Sequence, residues 1–235
     1  MNIIITGASK GFGKAIAEVF AEDKQEHRFF LCSRNNDLLE NTARDLKDRF
    51  PVIHVHTKSC DIADKLSLQE FIKWVLGFTD KIDILVNNAG LFFPGSVYNE
   101  DDGMLEKMMG VNVYGAYHLT RALVPNMIKA KTGHIFNICS IASLQAYDNG
   151  GAYSISKFAL YGFSKNLREE MKPYGIKVTH VLPGSAYTDS WSGSQIDPKR
   201  IMEAADIAKM VYAAAQLSPQ ACVEEIVIRP QLGDL

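Results

Sequence analysis

Residues 2–20 read NIIITGASKGFGKAIAEVF, and the order of residue types along this stretch decides the fold. Ile3, Ile4 and Ile5 form an unbroken branched run, which suits a strand covered on both faces. Gly7, Gly11 and Gly13 come next, and the stretch from Gly11 to Glu22 has helical patterning. Glycines placed between a strand and a helix allow a tight turn and a close backbone approach, while the helix N-terminus offers N–H groups to a pyrophosphate. The reading is therefore a dinucleotide loop, although its spacing is G-x-x-x-G-x-G and not the commoner G-x-G-x-x-G.

The same alternation continues to the end of the chain. Predicted strands are Ile3–Thr6, Phe29–Ser33, Ile53–Thr57, Ile84–Asn87, His134–Cys139, Lys177–Val181 and Ile226–Ile228. Predicted helices lie at Gly11–Glu22, Asp37–Arg49, Lys65–Leu76, Met104–Ala130, Ala152–Met171 and Met202–Ala214. Repeated β-α units imply an α/β fold: a doubly wound parallel sheet of about seven strands with helices on both faces. One Rossmann-type domain spanning residues 1–235 is expected. The segment Gly184–Lys199 is rich in Gly, Ser, Asp and Pro and too long for an ordinary β-α loop, so it is a candidate substrate lid.

With 235 residues, 47% of them hydrophobic, the chain can bury one sizeable core. A formal charge of -2 leaves no basic footprint for nucleic acid. Met1 is followed almost at once by Ile3–Ile5, without a charged leader, and no apolar run reaches the ~18 residues of a membrane span, so a cytoplasmic location is expected. Cys32, Cys60, Cys139 and Cys222 form no C-x-x-C and read as buried free thiols. His54 and His56 share a strand face but lack a third ligand nearby, so no metal site is expected.

The stretch GAYSISKFALYGFSKNL, residues 151–167, sets Tyr153 and Lys157 one helical turn apart. A neighbouring ammonium favours the phenolate and lowers a pKa of about 10, making Tyr153 a candidate acid. With its partners added, the chain resembles the short-chain dehydrogenase/reductase family. Thr6-Gly7-Ala8-Ser9-Lys10-Gly11-Phe12-Gly13 matches its cofactor loop, and Asn87-Asn88-Ala89-Gly90 matches the motif that steadies its central sheet. Asn112 in GVNVYGAYHL, Ser140 in FNICSIAS, and Tyr153 with Lys157 match its catalytic tetrad in order and spacing. Pro183-Gly184 with Thr188 matches the element holding the nicotinamide, and Asp61-Ile62 resembles its adenine contact, although an Asp there could equally cap a turn.

The resemblance implies an NADP(H)-dependent oxidoreductase acting on a small carbonyl or alcohol. Tyr153 would give a proton to the carbonyl oxygen, and Ser140 would hydrogen-bond that oxygen. Lys157 would tune Tyr153 and bind ribose hydroxyls, and Asn112 would hold a relay water. The strand FFLCSRN ends in Ser33-Arg34 without the carboxylate that bonds a ribose 2′-hydroxyl, and Lys10 can approach the same point, so a 2′-phosphate is favoured. Phe92, Phe93, Tyr147, Tyr187 and Trp191 are candidate pocket aromatics.

Alternatives within the enzyme class are a 3-oxoacyl-carrier-protein reductase and a sepiapterin-type pteridine reductase. The first needs a basic surface, which Arg121, Lys129, Lys131, Arg168 and Lys172 supply only in part beside Glu169 and Glu170. A non-catalytic NADP-binding sensor is the alternative of another class, and an intact tetrad argues against it. The family pairs its two long helices about a twofold axis, so a homotetramer or homodimer is expected. Leu160, Phe163, Leu167, Met171, Phe158 and Tyr161 are more apolar surface than the sheet alone requires.

Overall fold

A computed structural model describes residues 1–188 and 196–234. Seven strands, β1 (Asn2–Thr6), β2 (Arg28–Ser33), β3 (His54–Ser59), β4 (Ile84–Asn87), β5 (His134–Ile138), β6 (Lys177–Pro183) and β9 (Glu225–Ile228), make one sheet. Its order is β3-β2-β1-β4-β5-β6-β9, and every pair is parallel. The strand order reverses between β1 and β4, which opens a crevice beyond their carboxyl ends. The glycine loop leaves β1 at that point.

Strand pleating sorts the apolar residues between two cores. Ile3 and Ile5 of β1 face one side, where α1 (Gly11–Ala21), α2 (Asn36–Arg49) and α7 (Ala204–Ala215) bring Phe20, Leu39 and Val211. Ile4 faces the other, under α3 (Lys65–Phe78), α5 (Ala116–Ala130) and α6 (Gly151–Met171), with Phe71, Leu119 and Leu167. Residues such as Phe20, Phe30 and Phe71 are fully buried, and each such ring contributes about 1.5–3 kcal/mol. Covering both faces is what lets these strands be apolar throughout.

Two predicted helices are divided. Met104–Ala130 is not one helix but α4 (Met104–Met109), a π-helical segment at Gly110–Gly115, and α5. Gly115 lets this segment pack directly against Ile62: a Cβ there would lie 2.6 Å from Ile62 Cγ1. Met202–Ala214 loses its start to a short strand, β8 (Met202–Glu203), paired in parallel with β7 (Ala186–Tyr187). A reciprocal capping box between Glu203 and Asp206 then begins α7 at Ala204.

Among the described residues, no helix is long and apolar enough to cross a membrane, and no cluster of His, Cys, Asp and Glu could hold a metal ion. His54 lies 3.4 Å from Glu26, and His56 stacks on Phe30. Of the candidate lid, residues 189–195, including Trp191, lie outside the described residues.

Candidate active site

The glycine loop is fixed from below by side chains of neighbouring strands. Thr6 Oγ1 accepts from the N–H groups of Asn88 and Ala89, at 3.0 and 2.9 Å. The Asn88 amide in turn donates to the carbonyl oxygens of Thr6 and Gly7, at 2.8 and 3.1 Å. Gly7 has φ +65°, a conformation that side chains disfavour, and a Cβ on Gly13 would sit 2.5 Å from the Gly7 oxygen. The helix N-terminus above this loop has no side-chain cap and no acidic residue in its first turn. A backbone cradle that a Cβ would fill, opening onto that N-terminus, fits a dinucleotide pyrophosphate. Ser9, Lys10 and Phe12 lie in this loop, and Thr188 reaches its rim: a Cβ on Gly11 would be 3.6 Å from the Thr188 methyl.

Residues 88–90 join this loop to the predicted catalytic group. A Cβ on Gly90 would lie 3.4 Å from Asn112 Oδ1 and 3.6 Å from Lys157 Nζ. Lys157 is buried and donates to the Ile138 carbonyl at 2.8 Å, and its Nζ lies 5.8 Å from the centre of the Tyr153 ring. Burial pulls the Lys157 ammonium down to about 8. Tyr153 also responds to burial, which raises its phenol, while a hydrogen bond with Ser140 partly offsets the rise. The expected lowering of Tyr153 by Lys157 is therefore not found in this structure. Desolvation dominates, and the ammonium is held toward the Ile138 carbonyl instead.

Ser140 lies two residues past β5 and caps a single 3₁₀ turn, Ile141–Ser143, through a reciprocal box with Ser143. Its Oγ accepts from Ala142 N–H at 3.1 Å, which leaves the hydroxyl hydrogen for another partner. Asn112 lies in the π segment, a feature frequent at functional sites. Its Oδ1 accepts from Leu91 N–H at 2.7 Å, and its Nδ2 donates to the Leu91 carbonyl at 3.0 Å and Ser156 Oγ at 2.8 Å. The Asn112 side chain is thus a fastener, and any relay water would have to be held by its main chain.

At the far end, Arg34 is exposed, whereas Ser33 is buried and donates its hydroxyl hydrogen to the Asn35 carbonyl at 3.0 Å. Ser33 is accordingly less suited to phosphate contact than Arg34, because its hydrogen is already engaged. Asp61 does form a turn cap, Oδ1 accepting from Ala63 N–H at 3.0 Å, and Ile62 is buried against Gly115. Pro183 ends β6, and Gly184 donates to the Ile228 carbonyl at 2.8 Å beside the Asp234 carboxylate.

A family model described as short chain dehydrogenase matches residues 1–198. The chain belongs to the short-chain dehydrogenase family. A similar oxidoreductase, uncharacterized, from Staphylococcus saprophyticus is 33% identical over 233 residues, covering 97% of this chain and 96% of the relative. A sepiapterin reductase of Chlorobaculum tepidum is 32% identical over 239 residues, covering 99% and 97%. Among solved structures, a metagenomic short-chain oxidoreductase in complex with NADP is similar with a TM-score of 0.84 at 30% identity, covering 98% of this chain and 97% of that one. An alcohol dehydrogenase from Thermococcus sibiricus complexed with 5-hydroxy-NADP reaches a TM-score of 0.90 at 26% identity, covering 98% and 96%.

This short-chain dehydrogenase has site residues that sequence reading passes over. Ser156 links the Asn112 amide to the Tyr153 carbonyl, donating to the latter at 2.7 Å. Glu100 accepts from Ala152 N–H at 3.1 Å and so caps the helix that presents Tyr153. The i+3 spacing of Ser156 from Tyr153 was a local signal for the first. Glu100 is 52 residues from Ala152, and no periodicity reveals such a pair.

Proposed function

We propose that this oxidoreductase is an NADPH-dependent reductase of small carbonyl compounds in the cytoplasm, with Tyr153 as the proton donor. The observation that carries this reading is the position of residues 88–90, which hold the glycine loop through Asn88 and meet Lys157 and Asn112 through Gly90. The groups suited to the two ends of a dinucleotide meet over this one segment. When bound, the cofactor supplies the hydride.

The chain's own residues supply the proton and the electrostatics. Burial keeps Tyr153 protonated at neutral pH, as an acid for a carbonyl oxygen must be. The Ser140 hydroxyl offsets part of the rise in the Tyr153 phenol and can share the same oxygen, and Lys157 places a cation beneath the developing negative charge. Lys157 and Thr188 would hold the nicotinamide end, with Pro183 and Gly184 behind them. Gly7, Ser9, Lys10, Gly11, Phe12 and Gly13 would hold the pyrophosphate, and Asp61 and Ile62 the adenine side. Asn112 and Ser156 position the helix turn that carries Tyr153.

Preference for the 2′-phosphate is supported by exposed Arg34 and Lys10 and by the complexes of similar structures with NADP and 5-hydroxy-NADP. The sepiapterin reductase relative favours pteridine ketones as a second reading. The carrier-protein alternative is weakened because two of the five cations of its patch are paired, Arg168 with Glu224 at 2.9 Å and Lys172 with Glu169 at 2.5 Å.

The test is NADPH oxidation with ketones, aldehydes, oxoacyl thioesters and pterin ketones. NADPH should exceed NADH by about tenfold or more in kcat/KM, a difference of about 1.4 kcal/mol. Arg34→Asp should narrow that ratio, and Tyr153→Phe should abolish turnover while NADPH still binds. Equal use of both cofactors, or a tyrosine variant keeping about a tenth of wild-type kcat, would remove the respective assignment.

A further inference from the structure

We infer that Phe92 and Tyr147 determine the substrate range of the Tyr153 site, selecting uncharged carbonyl compounds that carry a flat aromatic or apolar arm beside the C=O. This rests on the reductase reading above and names its substrate class.

The Phe92 ring meets the Tyr153 ring edge-on, with centroids 4.8 Å apart and planes at 81°, yet Phe92 remains 47% exposed. Tyr147 is 44% exposed and lies over the start of α6, its Cε1 3.1 Å from where a Cβ on Gly150 would stand. Burial raises its phenol to about 12, so it stays protonated and uncharged at neutral pH. A single exposed aromatic needs no explanation, but two that flank one acid form a surface with a purpose.

Neither ring is on a free loop. Gly95 N–H donates to the Asn149 carbonyl at 3.1 Å, and Ser96 Oγ donates to Asn149 Oδ1 at 3.0 Å. With the Glu100 bond to Ala152, these contacts tie the loop after Gly90 to the loop before α6, so both rings are fixed relative to Tyr153. Such rigid aromatic walls favour planar partners through edge and stacking contacts.

The charges around the site disfavour an anionic arm. Beside Tyr153 the one cation among the described residues is Lys157, which is buried, donates to the Ile138 carbonyl at 2.8 Å and lies 5.8 Å from the Tyr153 ring, so it serves the carbonyl oxygen and not the arm beside it. The rim itself presents acidic groups that repel an anion: Asp148 is exposed beside Tyr147, and Glu100 accepts from Ala152 N–H, while Lys107 lies over the Phe93 ring at 4.6 Å. An ionic group carried next to the carbonyl would be desolvated against aromatic rings without a partner.

The experiment compares phenylglyoxylate with its methyl ester, which share the aryl ketone and differ in charge, and adds a small aliphatic aldehyde, each with NADPH and the full chain. The ester should exceed the acid by about tenfold in kcat/KM. The ratio of ester to aliphatic aldehyde should fall about tenfold in Phe92→Ala and in Tyr147→Ala, mainly through KM, and return in Phe92→Tyr, which restores a ring. Reduction of the acid as fast as the ester, or an equal loss on ester and aldehyde in both alanine variants, would overturn the inference and leave the reductase reading standing. Failure of the wild type on every carbonyl compound would overturn both, whereas turnover by Tyr153→Phe would overturn only the acid assignment.

Discussion

Tyr153 and Lys157 lie side by side out of water, and burial drives each toward its neutral form, the phenol upward and the ammonium down to about 8. Carbonyl reduction needs the phenol protonated and benefits from the cation, and both conditions hold below pH 8. The rate of reduction should therefore be level through neutral pH and fall as pH rises through about 8, measured as kcat/KM against pH. A rate that climbed steadily into the alkaline range would contradict this. His134 shows desolvation acting on stability instead. Thr179 Oγ1 donates its only hydrogen to the Val223 carbonyl at 2.6 Å, so His134 Nε2, 2.7 Å from that oxygen, must carry the ring hydrogen. Nδ1 is left buried and unpartnered, and burial lowers the ring from 6.5 to about 3. The unfolded chain takes up a proton in that interval and the folded chain does not, so stability present above pH 6.5 is lost as pH falls toward 3. The slope from this one group is about 1.4 kcal/mol per pH unit. Urea unfolding at pH 7, 6 and 5 should show His134→Gln declining less steeply than wild type by about that amount.

Among the elements, the glycine loop carries the sharpest structural demand. A Cβ on Gly13 would stand 2.5 Å from the Gly7 oxygen and 2.6 Å from Asn88 Nδ2, and neither can withdraw without breaking the bonds that tie Asn88 to Thr6 and Gly7. Gly13→Ala should weaken NADPH binding at least about tenfold in a fluorescence titration, because an overpacked site costs about 1–3 kcal/mol. Unchanged affinity would mean that the loop relaxes freely. This element was legible in the sequence because its demand is local: a branched run, then glycines, then helical spacing. The proposed tetrad could be read only as a set of motifs, since Asn112, Ser140 and Tyr153 stand on three separate elements. The π segment was not legible, because helical periodicity runs through it unchanged and the close packing of Ile62 on Gly115 joins positions 53 residues apart. Likewise, Met202 and Glu203 read as helix until Ala186 and Tyr187 provide a strand to pair with. The sign of the Tyr153 shift was missed for a related reason: the i+4 spacing revealed the cation but not the depth of burial or the Ile138 carbonyl that holds it.

At the scale of the whole molecule, the helices on the second face present apolar surface that the sheet does not use. Leu160, Leu167 and Met171 of α6 are buried within the protomer, so the sequence-based excess was overstated for them. Ile155 and Phe158 are each 44% exposed, and Tyr114 and Tyr117 on the neighbouring segment are 53% and 39% exposed. Tyr117 packs edge-on against Phe163 at 5.6 Å, which joins the two helices into one surface. We propose that a second copy turned about a twofold axis covers this patch, each helix meeting its own equivalent. The tail does not compete for it. Arg200 holds the Gly233 carbonyl at 2.9 Å, and Arg229 pairs with Asp234 at 3.0 Å, so residues 230–234 fold onto their own protomer. The expected particle in light scattering at micromolar concentration has at least twice the 26.1 kDa mass of the chain. Phe158→Glu should reduce it to a monomer, because a carboxylate buried at a twofold contact meets its own copy and costs more than a mainly apolar patch of this size returns. The substitution points to solvent in the isolated protomer, so the monomer should keep its fold and its NADPH affinity. A wild-type mass of 26 kDa, or a Phe158→Glu variant with unchanged assembly, would show that this face is not where two copies meet.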